Sequence, residues 1–117
     1  MSKAIDDVIA ERKRQIETEG WTSEHDDEHD NGEMAQAASV YALCAATDRA
    51  ERSVMDAFCD AKSVPYRIHS LWPWDLSWLK PKNRRRDLVR AAALVIAEIE
   101  RLDRKGAMEK AHDSLNT

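Results

Sequence analysis

The sequence predicts an all-α fold. Three observations carry that prediction: apolar residues recur at a helical period in separate stretches, no stretch alternates β-branched with polar residues, and only three Gly and three Pro interrupt 117 residues. Alanine dominates the apolar content, Phe occurs once, and four Trp supply most of the ring surface. Helices are therefore expected to approach closely. A single domain is expected over residues 1–104, built as three to four helices with two long ordered loops, and residues 105–117 are expected to form a loosely ordered tail.

A first helix is predicted over residues 3–19, where Ile5, Val8, Ile9, Arg12 and Ile16 fall at helical spacing between Ser2 as N-cap and Gly20 as the stop. Residues 21–31 have no apolar period, and they crowd carboxylates and two histidines behind Trp21, which reads as a loop. The period returns from Gly32 to about Thr47 through Met34, Ala37, Ala38, Tyr41, Ala42 and Ala45, with Asn31 as the expected N-cap. Asp48 with Glu51 three residues on has the form of a capping box, opening a short third helix through Val54, Met55 and Phe58. Residues 61–82 hold all three prolines and three of the four tryptophans, so they read as an ordered loop that packs through its rings. The strongest helix is predicted from Asn83 to about Arg104. Its stripe of Leu88, Ala92, Val95, Ile99 and Leu102 marks it as the core helix, with Leu88, Val95, Ile99 and Leu102 expected to be buried.

Charged residues make up 34% of the chain, both signs are mixed along it, and the formal charge is −4 at pH 7. That pattern gives a solvated surface and no general affinity for nucleic acid. Cys44 and Cys59 lie in apolar helical surroundings without a CxxC pattern, and are expected to be buried small hydrophobes in a reducing compartment. The charged N-terminus does not read as a signal peptide, and no window approaches the roughly 18 apolar residues of a membrane span. The expected location is the cytoplasm, that of a host cell if the protein is phage-encoded, with no membrane partner. No P-loop, GxGxxG, GxSxG or Cys-His nucleophile pattern occurs, so no catalytic residue is assigned. His69 and His112 are expected on the surface.

Two constellations could carry chemistry. Glu24-His25-Asp26-Asp27-Glu28-His29-Asp30 gathers oxygen and imidazole donors that suit a divalent metal, yet its spacing is neither an EF-hand nor a helical HExxH. No metal and no cofactor are assigned to it. It can equally be a solvated loop whose side chains cap the next helix, or one that holds a polar ligand. The second constellation is Trp72-Pro73-Trp74 followed by Trp78, Lys80 and Arg84-Arg85-Arg86. Indole faces can stack a flat ring and guanidinium groups can pair with phosphate, although the same rings could simply close a small alanine-rich core. Three arginines at a helix N-terminus oppose the macrodipole, which calls for an anion from Asp87, the acidic loop or a ligand.

A third possibility is enzymatic. Helical nucleoside triphosphate pyrophosphohydrolases hold Mg²⁺ with ExxE and ExxD patterns on facing helices, and Glu100 with Asp103, or Glu24 with Asp27, supplies an ExxD here. The first pair lies away from the Leu88 stripe, and Glu24 lies in a loop.

The stretches Glu11-Arg12-Lys13-Arg14-Gln15, Glu19-Gly20-Trp21-Thr22, His25-Asp26-Asp27-Glu28-His29 and Gly32-Glu33 resemble a family of small uncharacterised phage and prophage proteins. Trp72-Pro73-Trp74, Trp78, Lys80-Pro81 and the run from Arg85 through Leu102 are similar to that family's closing signature. The resemblance spans about residues 5–104 and implies a viral or prophage origin. More distantly, Gly20-Trp21-Thr22, Asp26-Asp27, His29, Pro73-Trp74 and Arg86-Asp87 resemble, in order, the RyR domain repeated in ryanodine receptors; the helical stretch from Glu33 to about Asp60 has no counterpart in that compact module. The second resemblance implies a sensor or binder of nucleotide-derived small molecules, which a phage could use against its host's immune signalling.

The reading these observations favour is a small-molecule binding protein, not an enzyme, in which the acidic loop and the tryptophan loop line one pocket. Trp21, Trp72, Trp74 and Trp78 are expected to stack on a nucleotide-like ligand, Arg84 and Arg85 to meet its phosphate, and Asp26, Asp27 and His29 to hydrogen-bond ribose or base, with Lys80 also among the ligand-binding residues. The alternatives are the Mg²⁺-dependent pyrophosphohydrolase and a protein-interaction module that inhibits a host enzyme. A thin alanine-rich core makes a helix-packed homodimer an attractive expectation.

Overall fold

Capping side chains fix where α-helices begin at Ser2, Thr22, Asp48 and Asn83. The computed structural model describes residues 2–115, and it contains α1 (Lys3–Glu17), α2 (Ser23–Asp27), α3 (Glu33–Ala45), α4 (Arg49–Phe58), α5 (Tyr66–His69) and α6 (Arg84–Leu115), with 3₁₀ turns at Ala61–Ser63 and Leu76–Trp78. No strand occurs among the described residues, so the protein is all-α. The Ser2 hydroxyl accepts the Ile5 N–H, the Thr22 hydroxyl that of His25, and the Asp48 carboxylate that of Glu51 at 2.8 Å. The Asp48 N–H in turn faces the Glu51 carboxylate, as in the expected capping box. The same carboxylate takes both arms of Arg67 at 2.6 and 2.8 Å and ties α4 to α5. Asn31 is not the cap of α3. Gly32 holds that position with φ +80°, and the Asn31 N–H donates to the Glu33 carboxylate at 2.6 Å.

The spine is α6, which continues well past its expected end at Arg104, through Leu115; the last two residues of the expected tail, 116 and 117, lie outside the described residues. Two helices flank it. Arg84 reaches the carbonyls at the end of α3 while Ile99 lies beside Ala35 near its start, so α3 runs antiparallel to α6. On the other side Asp7 meets Arg85 and Arg12 meets Glu100, so α1 runs in the same direction as α6. The apolar core gathers Val40, Tyr41 and Cys44 of α3, Met55 of α4, Ile68, Trp72 and Leu79 from the loop region, and Leu94 of α6.

The core face of α6 is not the expected one. Leu88, Val95, Ile99 and Leu102 are 50, 45, 52 and 51% exposed, and the buried face carries Val89, Ala93, Leu94, Ala97, Glu98 and Arg101. In α1 the same inversion holds: Ile5, Ile9 and Ile16 are exposed while Glu11, Arg12 and Gln15 are buried. Small alanines let α3 lie close against α6, and the buried charges are paired, which removes most of the cost of taking them out of water. Glu11 accepts from Arg14 at 2.8 and 3.0 Å and from Arg86, Arg12 meets Asp26 at 3.0 Å, and Arg52 meets Asp87 at 2.7 Å. Burial opposes ionisation of Glu11, but its Arg14 and Arg86 partners hold the carboxyl below its ordinary value.

The cysteines part company. Cys44 is fully buried, and burial, reinforced by Asp87, pushes its thiol up to about 12. Cys59, also expected inside, is exposed at the left-handed C-cap of α4 with φ +53°. No described helix is long and apolar enough to cross a membrane.

Candidate functional site

The acidic loop is in part a helix, and that changes which residues meet. Capped by Thr22, α2 puts Trp21, His25 and His29 in line at four-residue spacing. Trp21 stacks on His25 with ring centres 5.9 Å apart and planes 4° apart, and His25 meets His29 edge-on at 4.8 Å.

The tryptophan loop is brought to this row by polar anchors. Gln36 of α3 donates to the Leu71 carbonyl at 2.6 Å, Trp72 Nε1 donates to the Asp75 carbonyl at 3.0 Å, and the Asp75 carboxylate caps the following 3₁₀ turn by accepting the Ser77 N–H at 2.9 Å. Trp72 is set edge-on against Tyr41 in the core and Trp74 outside it, at 5.5 and 5.4 Å. Trp74 then closes a circuit of rings, 5.2 Å from His29 and 6.2 Å from Trp21. These rings, with Trp78, Glu19 and Asp75, line an open cleft of about 390 Å³.

Carboxylates behind the cleft orient its imidazoles. Asp26 Oδ1 is 3.1 Å from His25 Nδ1, and Glu33 Oε2 is 3.2 Å from His29 Nδ1. Burial opposes the charge on Glu33, but the N–H groups of Glu33 and Asn31 and the nearby His29 keep its carboxyl below the ordinary value. Nε2 of each imidazole has no partner among the described residues.

A second cleft, of about 260 Å³, adjoins the first and shares Glu19, Trp21 and Trp78 with it. Its remaining wall is cationic in character, with Arg14, Lys80 and Arg90 beside Glu11, Gln15 and Tyr41. Lys80 Nζ stands 5.9 Å over the Trp78 ring, and the Arg90 guanidinium 5.7 Å over that of Tyr41. Arg90 also donates to the Lys80 carbonyl, while the Tyr41 hydroxyl accepts the Lys80 N–H at 3.2 Å. Arg90 Nε and Gln15 Oε1 are buried here without a protein partner.

Of the ten residues expected at the site, Trp21, His29, Trp72, Trp74 and Trp78 meet in the first cleft, and Lys80 lines the second. The other four are engaged elsewhere. Asp26 is fully buried between Arg12 and His25, so it braces the imidazole from behind. Asp27 pairs with Arg104 at 2.8 Å and borders a different surface hollow, near the end of α6. Arg84 donates to the carbonyls of Ala45 and Thr47, and Arg85 pairs with Asp7 at 2.8 Å. The anions that compensate the arginine run are thus Asp7 and Glu11, while the neutral carbonyl oxygens of Ala45 and Thr47 accept from Arg84. His25, Glu19 and Asp75 join the site without having been expected there. The Trp-xxx-His-xxx-His spacing is the available signal for His25; nothing in the sequence points to the two carboxylates.

Among the described residues no three His, Cys, Asp or Glu side chains are placed together to hold a metal ion. The two carboxylates of each ExxD are not free as pairs either, because Glu100 is bound by Arg12 at 3.1 Å and Asp27 by Arg104. The chain matches no protein-family model, no curated protein and no solved structure.

Proposed function

We propose that this is a small-molecule binding protein that takes a nucleotide-derived ligand, base first, into the indole and imidazole cleft. The observation that supports this reading above all is the meeting of all four tryptophans and two histidines around one opening. Base stacking on aromatic side chains contributes about 1–3 kcal/mol per base and tolerates any base. Glu19 and Asp75 at the rim offer acceptors for ribose hydroxyls, the role an acidic residue plays in dinucleotide-binding folds. Phosphate belongs over the second cleft, where Lys80 and Arg90 take the role first expected of Arg84 and Arg85. A phage origin and a use against host signalling accord with the sequence resemblance.

The test is titration calorimetry with adenosine, guanosine and their mono- and cyclic phosphates, with and without Mg²⁺. Binding is expected without metal, and nucleotides should bind more tightly than nucleosides. Trp78→Ala should weaken every ligand by about 1–3 kcal/mol. Lys80→Ala should weaken only the phosphorylated ones, in a salt-dependent manner. Binding that persists unchanged in both variants would remove these clefts from consideration, and product release in the presence of Mg²⁺ would replace the binder by the pyrophosphohydrolase.

A further inference from the structure

The apolar stripe of α6 faces away from the core of its own chain, and we infer that it is the contact face of an antiparallel two-fold homodimer. Half-exposed Leu88, Val95, Ile99 and Leu102, with Ala92 among them, recur every three or four residues, which is the pattern of a helix seam awaiting a second helix. The face is broader than one helix. Arg12 joins Glu100 at 3.1 Å, and their neighbours one turn away are exposed Ile9 and Ile16 on α1 and Ile96 on α6. On the opposite shoulder α3 presents Ala35, Ser39 and Ala42, small enough to let another chain approach.

Charge selects a second copy in the antiparallel sense. With about 100° per residue, Arg85 and Asp103 fall on the same flank of the stripe, at opposite ends, and both are exposed. A two-fold axis through Val95 sets Leu88 of one copy against Leu102 of the other, Ile99 over Ala92, and Arg85 beside Asp103 at both ends. It also opposes the two α6 macrodipoles. The parallel alternative brings the two Arg84-Arg85-Arg86 runs together, and like charges repel. An isologous contact of this kind is the commonest form of oligomer.

The experiment is sedimentation velocity and cysteine cross-linking on the full chain. The wild type should run at twice the 13.4 kDa chain mass, and Ile99→Asp should run at the single-chain mass with unchanged helical circular dichroism. In a Cys59→Ser background, Val95→Cys should cross-link to itself. Leu88→Cys should cross-link only when mixed with Leu102→Cys. Arg85→Asp should weaken the dimer and Arg85→Asp with Asp103→Arg restore it, a rescue that the internal Arg85 pair with Asp7 cannot produce. A monomeric wild type at every concentration overturns the proposal and assigns the face to a different protein. Self-linking of Leu88→Cys alone overturns the antiparallel register.

Discussion

Trp72 and Trp78 show how one residue type serves two purposes within seven positions. Trp72 is 8% exposed and wedged between Tyr41 and Trp74, whereas Trp78 is 56% exposed and caps the outer wall of both clefts. Trp72→Ala should therefore cost about 3–5 kcal/mol of stability, and Trp78→Ala should leave the melting temperature within error while reducing ligand affinity. Paired thermal melts and titrations separate the two; equal stability losses would show that Trp78 is a packing residue. The thiols make a second residue-scale contrast. A chromogenic thiol assay on the folded protein should count one reactive group, Cys59, because burial keeps Cys44 protonated and covered. Both should react in denaturant.

At the scale of the element, α1 is held by charge more than by its isoleucines. Glu11 is buried under Arg14 and Arg86, and its lowered carboxyl contributes stability that is complete above the ordinary value of 4.5 and disappears as pH falls through the folded value. The melting temperature should hold through the neutral range and decline below about pH 4.5. Glu11→Gln, which removes the negative charge that Arg14 and Arg86 share, should cost about 2 kcal/mol at pH 7 after allowance for their partial exposure, and should flatten the acid decline. A variant with the wild-type pH profile would show that the pair does not hold α1. In α6, Gly106 sits inside the helix, and a Cβ added there would meet nothing within 4 Å. Gly106→Ala should raise stability by up to about 1 kcal/mol, read from denaturant midpoints at unchanged slope.

For the whole molecule, the described residues knit together through ion pairs that reach across elements: Arg12 to Asp26 and Glu100, Arg52 to Asp87, Arg104 to Asp27. Asp26 and Asp27 of the acidic stretch thus have protein cations as partners, and folding is expected to need no metal. Addition of EDTA should leave the melting temperature unchanged, and a drop would show that the stretch from Glu24 to Asp30 binds metal. This network also explains why the long α6 can present its aliphatic stripe outward: the inward face is satisfied by alanine contacts and paired charges.

Helical class, the caps at Ser2 and Asp48 and the α6 start were legible in the sequence, because each depends on residues a few positions apart. Which face of a helix turns inward is a different kind of question. In α1 and α6 the period of the apolar residues is real, yet it marks the outer face, since a row of alanines and ion-paired side chains packs closely enough to take the inner one. The destinations of Asp26, Asp27, Arg84 and Arg85 were likewise set in space: each charge goes to the nearest opposite charge or carbonyl, and those partners, Arg12, Arg104, Ala45 and Asp7, lie 14 or more residues away along the chain. Local chemistry fixes the elements and their ends, while burial and pairing over such separations exist only once the helices are packed.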